Sequence, residues 1–339
     1  MSKITDRIAA ETGIPNLLGT LSALPASDLQ SLLLEVFQLR ARLAKVARTT
    51  PLTEPSSVDA RKLNEFDRIA FQCAKNFDAI DLSPVAPFAL SHILGGIDQN
   101  NVVTTIRNAE VLGDSTEPLA LECARRRTQQ EEVRLACSHR LIRMQPFDVP
   151  GFTPHFRLFA LASAGRDKGS YDFEVRHLVE HIRVYLALCR ALHLGETAVE
   201  ITDMQMMESW LAQRGVSKED VRAAVRAHRP GSSQRFLSER VIELPEIDHP
   251  IARRVSDALG VAVRHNSSRL EGFGYYSTFA MRITIAGHAA IDGGFTDWTA
   301  RLLNNRKERL LTSGIGTEFV ARALWQPSAD SPRPPAPGD

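Results

Sequence analysis

At 339 residues the chain is long enough for one large hydrophobic core or two modest ones, and its 41 basic residues nearly balance 40 acidic ones. A formal charge of +1 supplies no global field to draw nucleic acid or an anionic membrane surface. Cys73, Cys123, Cys137 and Cys189 are widely spaced with no C-x-x-C pair, and no run has signal-peptide or membrane-span character, so a soluble cytoplasmic protein with reduced thiols is expected.

Residues 1–50 read as a helical extension. In SDLQSLLLEVFQLRARLAKVAR, the side chains of Leu29, Leu32, Val36, Leu39 and Leu43 share one stripe. The stripe is expected to fold back on the core, with docking of a partner protein as the alternative. A Pro/Ser/Thr linker at 49–57 leads into a main unit at 58–325, and the Pro- and Ala-rich 326–339 has the composition of a disordered tail.

Within the main unit, Leu63, Phe66, Ile69 and Phe77 predict a helix over 58–81, which Pro84 and Pro87 cannot continue. Pro118 introduces a short apolar run, Leu119-Ala120-Leu121, read as a strand. Residues 133–145 and 155–164 read as two strands joined by a proline-stiffened loop, 146–154. A helix over 170–194 stops at Gly195, and 197–203 follows as a strand. Residues 206–246 are mostly charged helix, and 245–260 supply another helix.

The most informative stretch is LEGFGYYSTFAMRITI, residues 270–285, followed by IDGGFTDW at 291–298. Phe279, Met281, Ile283 and Ile285 alternate with other residues, the period of a strand with one buried face. Tyr275 and Tyr276 stand side by side, so one can pack while the other projects its hydroxyl. Gly293-Gly294 suits a place where backbone must come close to another group. The plain reading of this stretch is an antiparallel hairpin.

GFGYYSTF followed by DGGFTDW resembles the end of the catalytic domain of histidyl-tRNA synthetase. SGIGTEFV at 313–320 is similar to the third motif of class II synthetases, and 133–164 to their second. The resemblance implies an α+β fold, an antiparallel sheet flanked by helices, with the N-terminal helical segment added. It implies a two-fold homodimer through 82–107. It also implies a ligand site built from Glu122, Arg143, Gln145, Arg157, Phe159, Glu271, Tyr275, Tyr276, Gly293, Gly294, Asp297, Gly316 and Glu318. Arg143 would face phosphate, Phe159 would stack on adenine, and the two tyrosines would line the amino-acid pocket.

Departures from the family shape the functional reading. Phe319 and Glu271 stand where the family places arginines, and a carboxylate in place of a phosphate-facing arginine opposes the charge that develops on activating an amino acid. The loop 146–154 has no lysine or arginine to meet ATP or a tRNA end, and about twenty residues follow Phe319, so the family's anticodon-binding domain is expected to be absent. These features resemble the regulatory subunit of ATP phosphoribosyltransferase. The first reading is therefore a catalytically degenerate paralogue that binds a small amino-acid-like ligand, a partner protein, or both, with no cofactor. A second is a divergent ATP-dependent amino-acid ligase or acyltransferase not acting on tRNA, the one case calling for ATP and magnesium. A third uses His177-Leu178-Val179-Glu180-His181, which matches H-x-x-E-H by letter. A solvated helix face explains that match more simply, and no metal is assigned.

Overall fold

The computed structural model describes residues 3–48, 50–144, 153–225 and 232–325. Its strands are β1 (Asp78–Ala79), β2 (Val85–Pro87), β3 (Ala109–Val111), β4 (Val133–Ile142) and β5 (His155–Arg166). Then come β6 (Thr197–Asp203), β7 (Val263–His265), β8 (Phe279–Ile285), β9 (His288–Thr296) and β10 (Glu308–Gly316). The helices of the first half are α1 (Lys3–Thr12), α2 (Leu17–Ser22), α3 (Ala26–Arg40), α4 (Leu43–Val46), α5 (Ala60–Cys73), α6 (Leu90–Ile93) and α7 (Thr116–Arg127). The rest are α8 (Asp172–Ala191), α9 (Met204–Gln213), α10 (Lys218–Val225), α11 (Ser232–Glu239), α12 (Pro250–Leu259), α13 (Trp298–Leu302) and α14 (Thr317–Phe319).

A sheet in the order β1-β4-β5-β10-β9-β8-β6-β7 organises these elements. Six long strands pair antiparallel throughout, and the short edges β1 and β7 run parallel to β4 and β6. An α+β architecture with an antiparallel sheet is thus present. The β4–β5 hairpin pairs with β10 rather than with β8, because β9 and β10 lie between them. The β8 strand occupies the residues whose alternation announced it, and β6 the residues 197–203 read as a strand.

Three sequence expectations change. The helix expected over 58–81 ends at Cys73, and Asp78–Ala79 is strand. Leu119-Ala120-Leu121 is helix, not strand: Asp114 accepts the Thr116 amide at 2.9 Å and starts α7, which buries Leu119, Ala120, Cys123 and Ala124 on one side. Pro118 falls in the first turn, where a missing N–H costs nothing. The N-terminal helices do not fold back on the core either. No residue of α1, α2 or α3 is buried, and Phe37 and Leu39 are 56% and 75% exposed. Apolar residues of α3 fall on several sides (Leu33, Leu34, Val36, Phe37), so no single stripe is shielded.

The sheet has two unlike faces. One is covered by α5, α8 and α12 over the largest core, which includes Phe66, Phe159, Tyr185, Ile283 and Leu311. On the other, α7 and α13 cover the β4–β5 end through Leu119, Leu135, Ala162 and Trp298. A third small core, with Met207, Leu211, Val221 and Phe236, joins α9, α10 and α11 to Leu270 and Phe273.

Candidate ligand site

Side chains alternate across a strand, so register assigns each residue to a face. Glu200, Arg282, Asp292, Gly314 and Ala160 lie directly opposite one another on five consecutive strands. Thr202, Ala280, Gly294, Thr312 and Ala162 form the next row on that face. These rows, away from α8, are the floor of the candidate site.

Tyr275 and Tyr276 stand over this floor with their rings T-shaped at 5.0 Å. The Tyr275 ring meets Trp298 edge-on at 5.3 Å, and its hydroxyl lies 3.5 Å from Thr116 Oγ1. Tyr276 donates to Asp292 Oδ1 at 3.1 Å. Its ring is held between two glycines, because a Cβ at either Gly272 or Gly294 would come within 2.5 Å of it. Burial raises both phenols well above their ordinary value.

Arg143 reaches the same cluster from the end of β4. Its Nε donates to Gly113 O at 2.9 Å, its Nη2 to Asp114 Oδ2 at 3.1 Å, and its guanidinium lies over the Phe156 ring at 5.1 Å. Asp114 also accepts from Thr116 Oγ1 at 2.8 Å, which ties Arg143 to the hydroxyl beside Tyr275. Behind them Glu117 is buried and accepts from Ser91 Oγ at 2.7 Å. Burial, reinforced by the neighbouring Asp114 charge, pushes the Glu117 carboxyl up to about 8.

Glu271 does not stand alone as an inverted charge. Arg282 Nη1 lies 3.6 Å from its carboxylate, with both side chains about four-fifths buried. Arg282 Nη2 also donates to Asp292 Oδ2 at 3.2 Å, and Arg269, 1% exposed, donates to Asp292 Oδ1 at 2.6 Å. The field opposed to anions is therefore offset by arginines from neighbouring positions.

The other expected residues divide sharply. Odd-numbered positions of β5 face α5 and α8, so Phe159 is fully buried against Phe71 and Arg157 pairs with Asp67 at 2.5 Å. Neither reaches the tyrosines. Glu318 is 3% exposed and pairs with Arg140 at 2.6 Å, which also points to the helix-covered side. Glu122 lies on α7 and is bound by Arg125 and Arg126, each at 2.6 Å; the Arg125 hydrogen bond is the main cause holding it down at about 2. Asp297 is exposed and pairs with Arg301. Gly293 packs against Ser313 on the covered face, while Gly294 belongs to the site and Gly316 precedes α14 on the site face. Gln145 lies outside the described residues.

His177 and His181 are core residues. His181 is hydrogen-bonded through both ring nitrogens, to Ser163 Oγ at 2.9 Å and Ser313 Oγ at 2.7 Å, and Ser313 also meets the Tyr185 hydroxyl. Burial holds the His181 imidazole down at about 3. His177 bonds Glu180, which Arg134 also engages. Both nitrogens of His181 are occupied, so the H-x-x-E-H spelling does not make a metal site.

Asp114, Thr116, Glu117, Arg269, Arg282 and Asp292 are the residues that spelling did not single out. Asp114, two places before the first residue of α7, was the available signal for that helix, and Asp292 sits immediately before the glycine pair. Open clefts lie elsewhere, among them one of about 820 Å³ between α5, α8 and α12 and one of about 510 Å³ beside Leu82 and Glu122.

No family model and no curated protein matches this chain. Solved structures do. Histidyl-tRNA synthetase from Nostoc sp. PCC 7120 superposes with a TM-score of 0.59 at 13% identity, over 82% of this chain and 75% of that one. This is a class II synthetase fold. A protein from Bacillus halodurans described as an ATP phosphoribosyltransferase regulatory subunit/histidyl-tRNA synthetase shares the class II fold at a TM-score of 0.57 and 12% identity, over 83% and 84% of the two chains. A histidine–tRNA ligase subunit from Alicyclobacillus acidocaldarius does so at 0.57 and 12%, over 81% of this chain and 96% of the other. Here β8, the β4–β5 hairpin and β10 lie in one sheet, with Tyr275 and Tyr276 in the turn that precedes β8.

Proposed function

We propose that the chain is a catalytically degenerate relative of histidyl-tRNA synthetase that binds a small amino-acid-like ligand and works with a partner protein in a regulatory role. One observation carries the reading: Tyr275, Tyr276, Thr116, Asp114 and Arg143 converge, whereas Arg157, Phe159 and Glu318 are committed to packing on the opposite face. The two tyrosines belong to the amino-acid pocket of the expected site and Phe159 to its adenine contact, while Arg143, expected to face phosphate, lies on the tyrosine side with its guanidinium bound to Asp114. A ligand with an ammonium group suits Asp114, and Arg143 suits a carboxylate.

The partner role is supported by the exposed apolar residues of α3 and by the likeness to a protein described as a regulatory subunit. A two-fold homodimer through 82–107 is supported by Val85, Phe88 and Ile93, whose side chains are exposed beside the β2–β3 ribbon.

Calorimetric titration with free amino acids, histidine first, and with ATP-Mg tests the reading. An amino acid is expected to bind and to lose about tenfold or more in affinity in Arg143→Ala, while ATP-Mg binds weakly and supports no amino-acid-dependent pyrophosphate exchange. Micromolar ATP-Mg binding that disappears in Arg143→Ala would overturn it in favour of an ATP-dependent ligase. Sedimentation of the same samples reads the dimer, and a monomer at micromolar concentration refutes that part.

A further inference from the structure

The floor of the site carries three carboxylates, and one of the protein's own side chains lies among them. Arg282 on β8 lies in direct register between Glu200 on β6 and Asp292 on β9. Its Nη2 donates to Asp292 at 3.2 Å, its Nη1 lies 3.6 Å from Glu271, and Glu200 adds a further favourable charge. The acidic groups are otherwise held in place: Arg264 and Asn266 bind Glu200, and Arg269 and Tyr276 bind Asp292. The Arg282 side chain is 19% exposed, while that of Asp292 beside it is 45% exposed, so the pair sits at the boundary between sheet and solvent.

We infer that Arg282 is a specificity-determining residue: its guanidinium occupies the carboxylate cradle of Glu200, Glu271 and Asp292 as an internal substitute for a ligand cation. A ligand group over this part of the floor is then neutral or anionic, because the cradle's negative charge is already matched. A ligand ammonium is directed instead to Asp114, about the other tyrosine. That assignment of ligand class rests on the amino-acid-binding reading proposed above. The occupied cradle does not.

The test is chemical replacement of the missing side chain. Arg282→Ala leaves three carboxylates facing an opening shaped for a guanidinium, with a lowered melting temperature as the direct consequence. Adding ethylguanidinium chloride at about 20 mM should raise the variant's melting temperature by about 1–2 °C over the same concentration of sodium chloride, and leave the wild type unchanged. Asp292→Asn in the Arg282→Ala background should abolish the gain. Equal responses in wild type and Arg282→Ala, or none in a variant folded by circular dichroism, overturn the inference. Should Arg282→Ala fail to fold, the wild type decides: a seated guanidinium gives a resolved, slowly exchanging Arg282 Nε–H signal, and fast exchange refutes it. Amino-acid titration of the wild type remains a separate measurement, so failure of either idea can be recognised without the other.

Discussion

The two faces of the sheet are built from alternate residues of the same strands and use polar groups in opposite ways. On the helix-covered face, part-exposed Arg157 and Arg140 reach in to the more deeply buried carboxylates of Asp67 and Glu318, and His181 with Ser163 and Ser313 forms a closed network in packed surroundings. On the site face, Arg143 pairs with Asp114 and Tyr276 with Asp292, and here the carboxylates themselves are part-exposed at the margin of solvent. A buried polar group keeps its place only when its partners are supplied locally, and this requirement turns the first set into scaffold. Partly exposed groups can exchange a protein partner for water or ligand at smaller cost, which suits the second set to binding.

The largest expected effect comes from the covered face. Phe159→Ala removes a fully buried ring packed edge-on against Phe71 at 5.3 Å and should cost about 3–5 kcal/mol in denaturant unfolding. A ring that stacked on a nucleotide at an open site would cost far less when removed, so a loss under about 1 kcal/mol would break the comparison.

Protonation sharpens it, because the two sides titrate with opposite sign. The Glu117 carboxyl sits at about 8 when folded against an ordinary 4.5, so between these values the folded chain holds a proton that the unfolded chain has released. Stability therefore falls as pH rises through that window, by at most about 1.4 kcal/mol per unit, and Glu117→Gln should remove this slope. The His181 imidazole sits at about 3 against 6.5, so the unfolded chain holds the extra proton between them. Stability due to His181 is complete above 6.5 and is lost as pH falls toward 3. Urea midpoints measured from pH 4 to pH 9 on wild type and both single variants, Glu117→Gln and His181→Gln, check the two limbs. An alkaline slope unchanged in Glu117→Gln would refute the first assignment.

The smallest effect belongs to a residue that sequence resemblance placed in the site. Glu122→Ala should change stability by less than about 1 kcal/mol and leave amino-acid binding unaltered, since its carboxylate is engaged only by Arg125 and Arg126 on the surface of α7. A loss of binding in calorimetry would return Glu122 to the site.

The fold was legible where periodicity had length to express itself. Seven residues of alternation fix β8, and β6 falls on the seven residues read as a strand after the Gly195 stop. Leu119-Ala120-Leu121 is too short to distinguish a strand from one turn of helix, and Asp114, whose carboxylate accepts the Thr116 amide, was the better guide. The site was legible only in part for a related reason. A motif spells residue types but not the face they occupy, and a single step along a strand separates Leu158 and Ala160 from Arg157 and Phe159. Arg143 is connected to Tyr275 only through Asp114 and Thr116, residues that no motif named. Arg282 and Asp292 become partners only through the β8–β9 register, a relation invisible in linear order.

The glycines on either side of Tyr276 have a consequence for motion. With backbone at Gly272 and Gly294 against its two edges and its hydroxyl pinned to Asp292, the ring has no room to turn about its long axis without parting the chain on both sides. Its two halves should consequently experience different surroundings for long intervals, giving separate resonances where a freely flipping tyrosine averages them. Such a ring acts as a fixed post and not a swinging gate, and whatever reaches the floor of the sheet must pass alongside it.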